Sequence, residues 1–289
     1  MQLQNVREIG NMTAQNLIQK PISILRSSTI SDVIKKILEN NISRLIVKDS
    51  GKSVGIVTEK DIGFFLFKEN TTQSLDEIPL DKIMKPIEYV DATESVKNCA
   101  KIMTDKKISS LAVGNEQNLK GIFTKTDLTN YFANNFAGKK KVADFMTHEY
   151  ISTHYGATLS HVMKKMLENQ VSRIVTKNQD NQPVGIISLR DFFRVSLDLG
   201  SEGDDVGAYA FSDNMRKGFL SESGFGGTTL ARDVMSKELI SIKFDQDLAS
   251  ASKIIIENGV NGLYVFDDGD GLDGIISKTD ITRALASLD

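Results

Sequence analysis

Four short stretches of the sequence share one chemical layout: GIVTEKD at 55–61, GIFTKTD at 121–127, GIISLRD at 185–191 and GIISKTD at 274–280. Each places a hydroxyl three residues before an aspartate: Thr58 and Asp61, Thr124 and Asp127, Ser188 and Asp191, Ser277 and Asp280. Two kinds of chemistry suit that spacing. The hydroxyl can cap a helix while the carboxylate reaches back to the cap amide. Alternatively, the carboxylate can accept two hydrogen bonds from a vicinal diol, as acidic residues do on ribose in dinucleotide folds. A helix N-terminus beside it would then favour a phosphate. A capping box prefers the longer Glu or Gln at its third position. Four short aspartates, each with a glycine at fixed spacing before it, are therefore more than capping alone demands, and the spacing leaves both readings open.

The elements that must carry these residues recur with them, which marks an internal repeat. In the first copy, 22–25 reads as a strand, and Ile30, Val33, Ile34, Ile37 and Leu38 fall on one face of a helix that Ser28 or Thr29 can cap. Residues 42–58 read as two strands joined by a DSGK turn, and 59–70 as a second helix. The other copies keep this β-α-β-β-α order. Three of them have Met84, Met146 or Met235 ahead of the first strand, and Ile18 stands in that place in the first. The first copy is most like the third (KKILENNISR and KKMLENQVSR), and the second most like the fourth (TKTDLT and SKTDIT). A unit of this length is marginal as a self-sufficient core, so two intimate pairs are expected. The expected division is an N-terminal segment 1–13, a first pair 14–137 (repeats about 14–70 and 80–137), and a second pair 138–289. That second pair has repeats of about 141–193 and 230–289 and a glycine-rich insertion at about 194–229.

Composition limits the function. Of 289 residues, 40% are hydrophobic and 25% charged, ordinary values for a globular protein with a real core. A net charge of −3 lacks the global footprint of a nucleic-acid binder. The lysines of GKKKVADFM at 138–146 read as a solvated connector. The one cysteine, Cys99, lies in a helical apolar pattern and reads as a buried, inert thiol. The longest apolar run, IGFFLF, is too short for a membrane span, and the first ten residues lack the regions of a secretory signal. A reducing cytoplasm and no membrane partner are expected.

The unit closely resembles the CBS domain, named after cystathionine β-synthase. The resemblance rests on its strand and helix order, the lead-ins KIM, DFM and DVM, and the G-h-x-h-[ST]-x-x-D motif, and it covers about 14–193 and 230–289. It implies an α/β fold of four repeats packed as two pseudo-twofold pairs, the tandem arrangement called a Bateman module. In that family the Ser/Thr and Asp hold the ribose of an adenosine ligand such as AMP, ADP, ATP or S-adenosylmethionine, with adenine in an apolar cleft between paired repeats. Carried onto this sequence, the ligand-binding candidates are Thr58, Asp61, Thr124, Asp127, Ser188, Asp191, Ser277 and Asp280. The start of each middle strand lines the cleft in similar proteins, which adds Ser43 and Arg44 in the first repeat and Ser172 and Arg173 in the third. With Lys60 and Arg190, the residues before the motif aspartates, the odd repeats carry two cations each to offer phosphate. The even repeats have Ser110, Thr126, Gly262 and Thr279 at those places.

Other signals carry less. His148, His154 and His161 lack the i, i+4 spacing of a helical zinc pair and read as solvated. DDGDGLDG at 267–274 resembles a calcium loop but lacks its required glycine and terminal glutamate, and reads as a hairpin turn. No base, nucleophile and metal set stands out, so neither enzymatic activity nor an obligatory cofactor is expected. The expectation is a sensor that binds adenine nucleotides and transmits occupancy by conformational change. An unidentified protein partner and a homodimer stay open, as does a constitutive scaffold with vestigial pockets.

Overall fold

The computed structural model describes residues 12–68, 75–198, 229–269 and 271–288, with backbone alone at 66–68 and 194–198. Its fold is the expected α/β succession of four repeats. The first comprises β1 (Ser23–Leu25), α1 (Ile30–Glu39), β2 (Arg44–Asp49), β3 (Lys52–Thr58) and α2 (Glu59–Lys68). The second comprises β4 (Tyr89–Val90), α3 (Val96–Asp105), β5 (Ser110–Gly114), β6 (Leu119–Thr124) and α4 (Lys125–Asn135). In the third are β7 (Ser152–His154), α5 (Leu159–Glu168), β8 (Arg173–Lys177), β9 (Pro183–Ser188) and α6 (Leu189–Asp198). After a short helix, α7 (Ala231–Val234), the fourth has β10 (Ser241–Lys243), α8 (Leu248–Glu257), β11 (Gly262–Phe266), β12 (Leu272–Ser277) and α9 (Lys278–Ala286). The expected insertion at 194–229 is helical as far as Asp198, and 199–228 lie outside the described residues.

The local reasons are visible in the sequence. Ile30, Val33, Ile34 and Ile37 on the inner face of α1 are fully buried, and Thr29 caps the helix by accepting from the Asp32 amide. In the turn between β2 and β3, Ser50 and Gly51 take positive φ values of 48° and 81°, which suits a tight hairpin. The acidic stretch at 267–271 is also a turn, in which Asp267 Oδ1 accepts the amides of Gly269 and Gly271. Each repeat forms a three-stranded sheet whose first two strands run parallel and whose last two run antiparallel.

Two compact units emerge. Among the described residues, one comprises 22–68, 75–86, 151–198 and 229–239, the other 12–21, 87–150, 240–269 and 271–288. The cores show the same division. Ile37, Val57 and Ile62 share a cluster with Met163, Ile187 and Phe192, while Cys99, Phe123 and Phe132 share one with Ile255, Ile276 and Ile281. In the first unit α2 packs on α5 and α6; in the second α4 packs on α8 and α9, and α9 on α3. One unit therefore holds the bulk of the first and third repeats, the other that of the second and fourth.

The lead-ins complete each unit. Residues 79–85 lie on the sheet of the first repeat, where the Ile56 and Lys85 amides each donate to the other's carbonyl at 2.9 Å. The same reciprocal pair joins Gln19 to Ile122 at 2.8 and 3.0 Å, Thr147 to Ile275 at 2.8 and 3.0 Å, and Ser236 to Ile186 at 3.0 Å both ways. In every case the third strand is extended by the lead-in of the other repeat in its half of the chain.

Candidate functional site

The glycine that opens each motif sits under the residue of the docked lead-in that precedes the bridging one. A Cβ on Gly55 would overlap Cγ and Sδ of Met84; on Gly185 it would lie 2.7 Å from Met235 Sδ and from the Ser236 carbonyl. On Gly121 it would lie 2.8 Å from Ile18 Cβ, and on Gly274 2.7 Å from the Thr147 carbonyl, with Met146 also in contact. The motif glycine and the lead-in side chain, a methionine in three copies and Ile18 in the other, are two halves of one contact. The fixed glycine spacing thus needs no ligand to explain it.

The hydroxyl and the aspartate meet in all four copies. Each cap amide and each cap hydroxyl donates to Oδ2 of the aspartate. The distances are 3.0 and 2.6 Å for Thr58 to Asp61, 2.7 and 2.9 Å for Thr124 to Asp127, 2.7 and 2.8 Å for Ser188 to Asp191, and 2.8 and 2.6 Å for Ser277 to Asp280. The short aspartate therefore reaches the cap in all four copies, although a capping box more often uses the longer Glu or Gln. The reason is the extended backbone at the cap, with φ and ψ of −133° and 173° at Thr124 and −131° and 167° at Ser277, which turns the cap amide toward the carboxylate.

The four aspartates differ beyond the cap. The hydrogen bonds of Asp61 and Asp127 all fall on Oδ2, so Oδ1 remains at a half-buried helix N-terminus. Asp280 is 4% exposed, and its Oδ1 accepts from Thr147 Oγ1 at 3.3 Å and Arg283 Nη2 at 3.1 Å. Burial raises the pKa of Asp280, against the opposing pull of the Ser277 and Thr147 hydrogen bonds and of Arg283.

The odd-repeat cations meet within the unit of repeats one and three. Arg190 Nε donates to Glu59 Oε1 at 2.6 Å, its Nη1 to Asn41 Oδ1 at 2.5 Å, and its Nη2 to the Ile42 carbonyl at 3.1 Å. Lys60 Nζ donates to the Gln170 carbonyl at 3.1 Å, and the Arg44 guanidinium to Ser43 Oγ at 3.0 Å. Arg173 is half-buried; burial lowers its pKa to about 10, offset by the charges of Glu59 and Asp191, so it stays a cation at neutral pH. Ser172 lies half-buried beside it, and its carbonyl accepts from the Leu189 amide. The unit of repeats two and four has its own cations one residue earlier in the motif. Lys125 Nζ donates to Thr279 Oγ1 at 3.1 Å, and Lys278 Nζ to Thr126 Oγ1 at 3.0 Å, a reciprocal arrangement at the paired N-termini of α4 and α9.

Glu59 and Asn41 did not stand out in the sequence because neither is a fixed motif residue, nor did Lys125 and Lys278, which lie one residue before the position that carries a cation in the odd repeats. The TK and SK steps of the even motifs were their visible signal. His148 pairs with Asp273 at 3.2 Å on the surface, and His154 and His161 are exposed. Among the described residues, no group of His, Cys, Asp or Glu is placed to hold a metal, and no helix is long and apolar enough to cross a membrane.

Comparison with known proteins agrees with this architecture. The CBS domain model matches residues 6–66, 77–134, 142–198 and 231–287, and the chain belongs to the CBS-domain family. It is 24% identical to the uncharacterized protein MJ1225 of Methanocaldococcus jannaschii, over 94% of this chain and 97% of that one. It is 22% identical to an uncharacterized 33.4 kDa protein of Thermofilum pendens, over 92% of this chain and 88% of that one. The crystal structure of MJ1225, described as a candidate archaeal homologue of γ-AMPK, superposes with a TM-score of 0.79 at 21% identity, covering 95% of this chain and all of that one. An uncharacterized conserved protein of Pyrococcus horikoshii gives 0.64 at 16% identity, again over 95% and 100%. At these identities the structures share the fold.

Proposed function

We propose that this protein is a non-enzymatic, cytoplasmic sensor of adenosine-containing nucleotides, with AMP, ADP and ATP as the ligand class. The observation that carries this reading is the state of Asp61 and Asp127. Each carboxylate spends Oδ2 on its cap and keeps Oδ1 at a helix N-terminus beside a Thr hydroxyl. A ribose diol needs such an acceptor, and a phosphate is favoured by the helix end. Thr58, Thr124, Ser188 and Asp191 belong to the same ribose set. Ser43, Arg44, Ser172 and Arg173 would face base and phosphate, as the family resemblance implies. Lys60 and Arg190 would have to exchange their present partners for phosphate. Full-length likeness to a chain described as a candidate γ-AMPK homologue supports a regulatory role of this kind.

Occupancy acts by population shift, which requires different affinities for two arrangements of the protein. Calorimetric titration of nucleotide-free protein with AMP, ADP, ATP, adenosine and S-adenosylmethionine tests the reading. The expected result is saturable binding of the phosphorylated compounds and a rise in melting temperature, about 2.7 kcal/mol of stabilisation at a hundredfold excess over Kd. Absence of binding and of any melt shift at millimolar concentration removes the sensor reading. A constitutive scaffold then remains, and one observation favours it: lead-in docking and capping together account for the glycine, hydroxyl and aspartate of the motif. Tightest binding by S-adenosylmethionine would instead change the ligand class.

A further inference from the structure

The fourth motif is built differently from the first two. Oδ2 of Asp280 takes the amide and hydroxyl of Ser277, and its Oδ1 takes the hydroxyl of Thr147 and the guanidinium of Arg283. An ionised carboxylate offers about four acceptor sites, and here four donors use them. Arg283 Nη2 also donates to the Phe145 carbonyl at 2.5 Å, so the guanidinium bridges α9 to the same lead-in that carries Thr147. The Thr147 backbone is in turn paired with Ile275 of β12.

The corresponding positions in the first two repeats lack this chemistry. Three residues after the motif aspartate stand Phe64 and Asn130 where the fourth repeat has Arg283. At the bridging position of the docked lead-in stand Lys85 and Gln19 where the fourth repeat has Thr147. A ribose diol entering the fourth motif would have to displace a hydroxyl and a guanidinium from a carboxylate that is 4% exposed. Removing a donor from a buried carboxylate is costly unless the newcomer replaces it in kind.

We propose that Asp280 is not a ribose ligand but a clamp, through which α9 grips residues 145–147 by way of Thr147 and Arg283, so that the fourth motif takes no nucleoside while the motifs of Asp61 and Asp127 do. The second half of this statement rests on the sensor reading; the clamp itself does not.

The experiment compares Asp61→Asn, Asp127→Asn, Asp280→Asn and Arg283→Ala in the full chain, by calorimetry with AMP and by amide hydrogen exchange. Asp280→Asn and Arg283→Ala are expected to leave AMP affinity and stoichiometry as in the wild type. Both should speed exchange at the Thr147 amide about tenfold, as the loss of a hydrogen bond to a charged group implies. Asp61→Asn and Asp127→Asn should each weaken AMP binding without changing exchange at 145–147. Loss of an AMP site in Asp280→Asn, or unchanged exchange at Thr147 in both Asp280→Asn and Arg283→Ala, overturns the clamp. If the wild type binds no AMP, the sensor reading fails, while the exchange data still decide whether Asp280 holds the lead-in.

Discussion

Gly55 and Met84 compete for one volume: the side chain that the glycine lacks would lie where Cγ and Sδ of the methionine are packed. The same relation links Gly185 to Met235, but there a backbone carbonyl, that of Ser236, is equally close at 2.7 Å. A flexible thioether can move aside and a carbonyl held in a hydrogen bond cannot. Gly55→Ala is therefore expected to destabilise by about 1 kcal/mol and Gly185→Ala by about 3 kcal/mol, the two ends of the overpacking range. Met84→Ala should partly rescue Gly55→Ala, whereas Met235→Ala should not rescue Gly185→Ala. Urea unfolding of the four single and two double variants checks both statements.

Arg190 and Glu59 are about one-quarter and one-fifth exposed, so their contact is only partly screened. Arg190→Ala removes bonds to Glu59, Asn41 and the Ile42 carbonyl together and should cost about 1.5–3 kcal/mol. Lys125→Ala, which removes a bond to a neutral hydroxyl, should cost about 0.5–1.5 kcal/mol. A double-mutant cycle of Arg190→Ala with Glu59→Gln should give a coupling of at least about 0.5 kcal/mol, and additivity would show that the pair is not coupled.

The pH dependence of Asp280 has a definite sign. Burial raises its folded-state pKa above the ordinary carboxylate value of 3.8, with Ser277, Thr147 and Arg283 pulling the other way. The folded protein thus holds this proton more tightly than the unfolded chain. The stabilising contribution of this linkage is complete below 3.8 and is lost as pH rises through the folded pKa. The stability of wild type minus that of Asp280→Asn should accordingly be largest in acid and fall toward neutrality. A difference that grows with pH would mean that Arg283 and the hydroxyls outweigh desolvation.

Cys99 is fully buried, and burial pushes its thiol up to about 12. Since the thiolate is the reactive form, labelling by a disulfide reagent at neutral pH should be absent in the folded protein and should follow global unfolding in urea. Reaction well below the unfolding transition would show that the core around α3 opens locally.

Capping and ribose binding separate in one pair of variants. Thr124→Ala and Asp127→Ala should each cost about 0.5–2 kcal/mol of stability, because both remove capping bonds. Under the sensor reading, Asp127→Ala must also weaken AMP binding, which calorimetry reads independently of the melt.

What could be read from the sequence was whatever local patterning encodes. The buried stripe of Ile30, Val33, Ile34 and Ile37, the cap at Thr29 and the hairpin at Ser50 and Gly51 all follow from residue type and spacing. The four hydroxyl–aspartate pairs were legible for the same reason. The joining of first repeat to third was not, because the apolar faces of α2 and α6 look like any amphipathic helix and carry no address. Nor was the meeting of Gly55 with Met84: each recurs visibly, but contact across a chain reversal leaves no period. Arg283 was hidden because an arginine on an exposed helix turn is ordinary until Phe145 and Thr147 are seen beside it.

The docked lead-ins have a consequence for a chain that emerges from the ribosome in order. The strip around Gln19 is made early, yet its seat on Ile122 appears only when β6 has been synthesised. Conversely, β3 waits for Lys85 before its outer amide and carbonyl are covered. Neither the first nor the second repeat can finish its sheet alone, and a nascent chain stopped between them exposes an open strand edge of the kind that invites aggregation. A nascent chain must therefore reach the end of a half before both of its third strands are bridged, and a truncation that ends within a half is expected to need a chaperone.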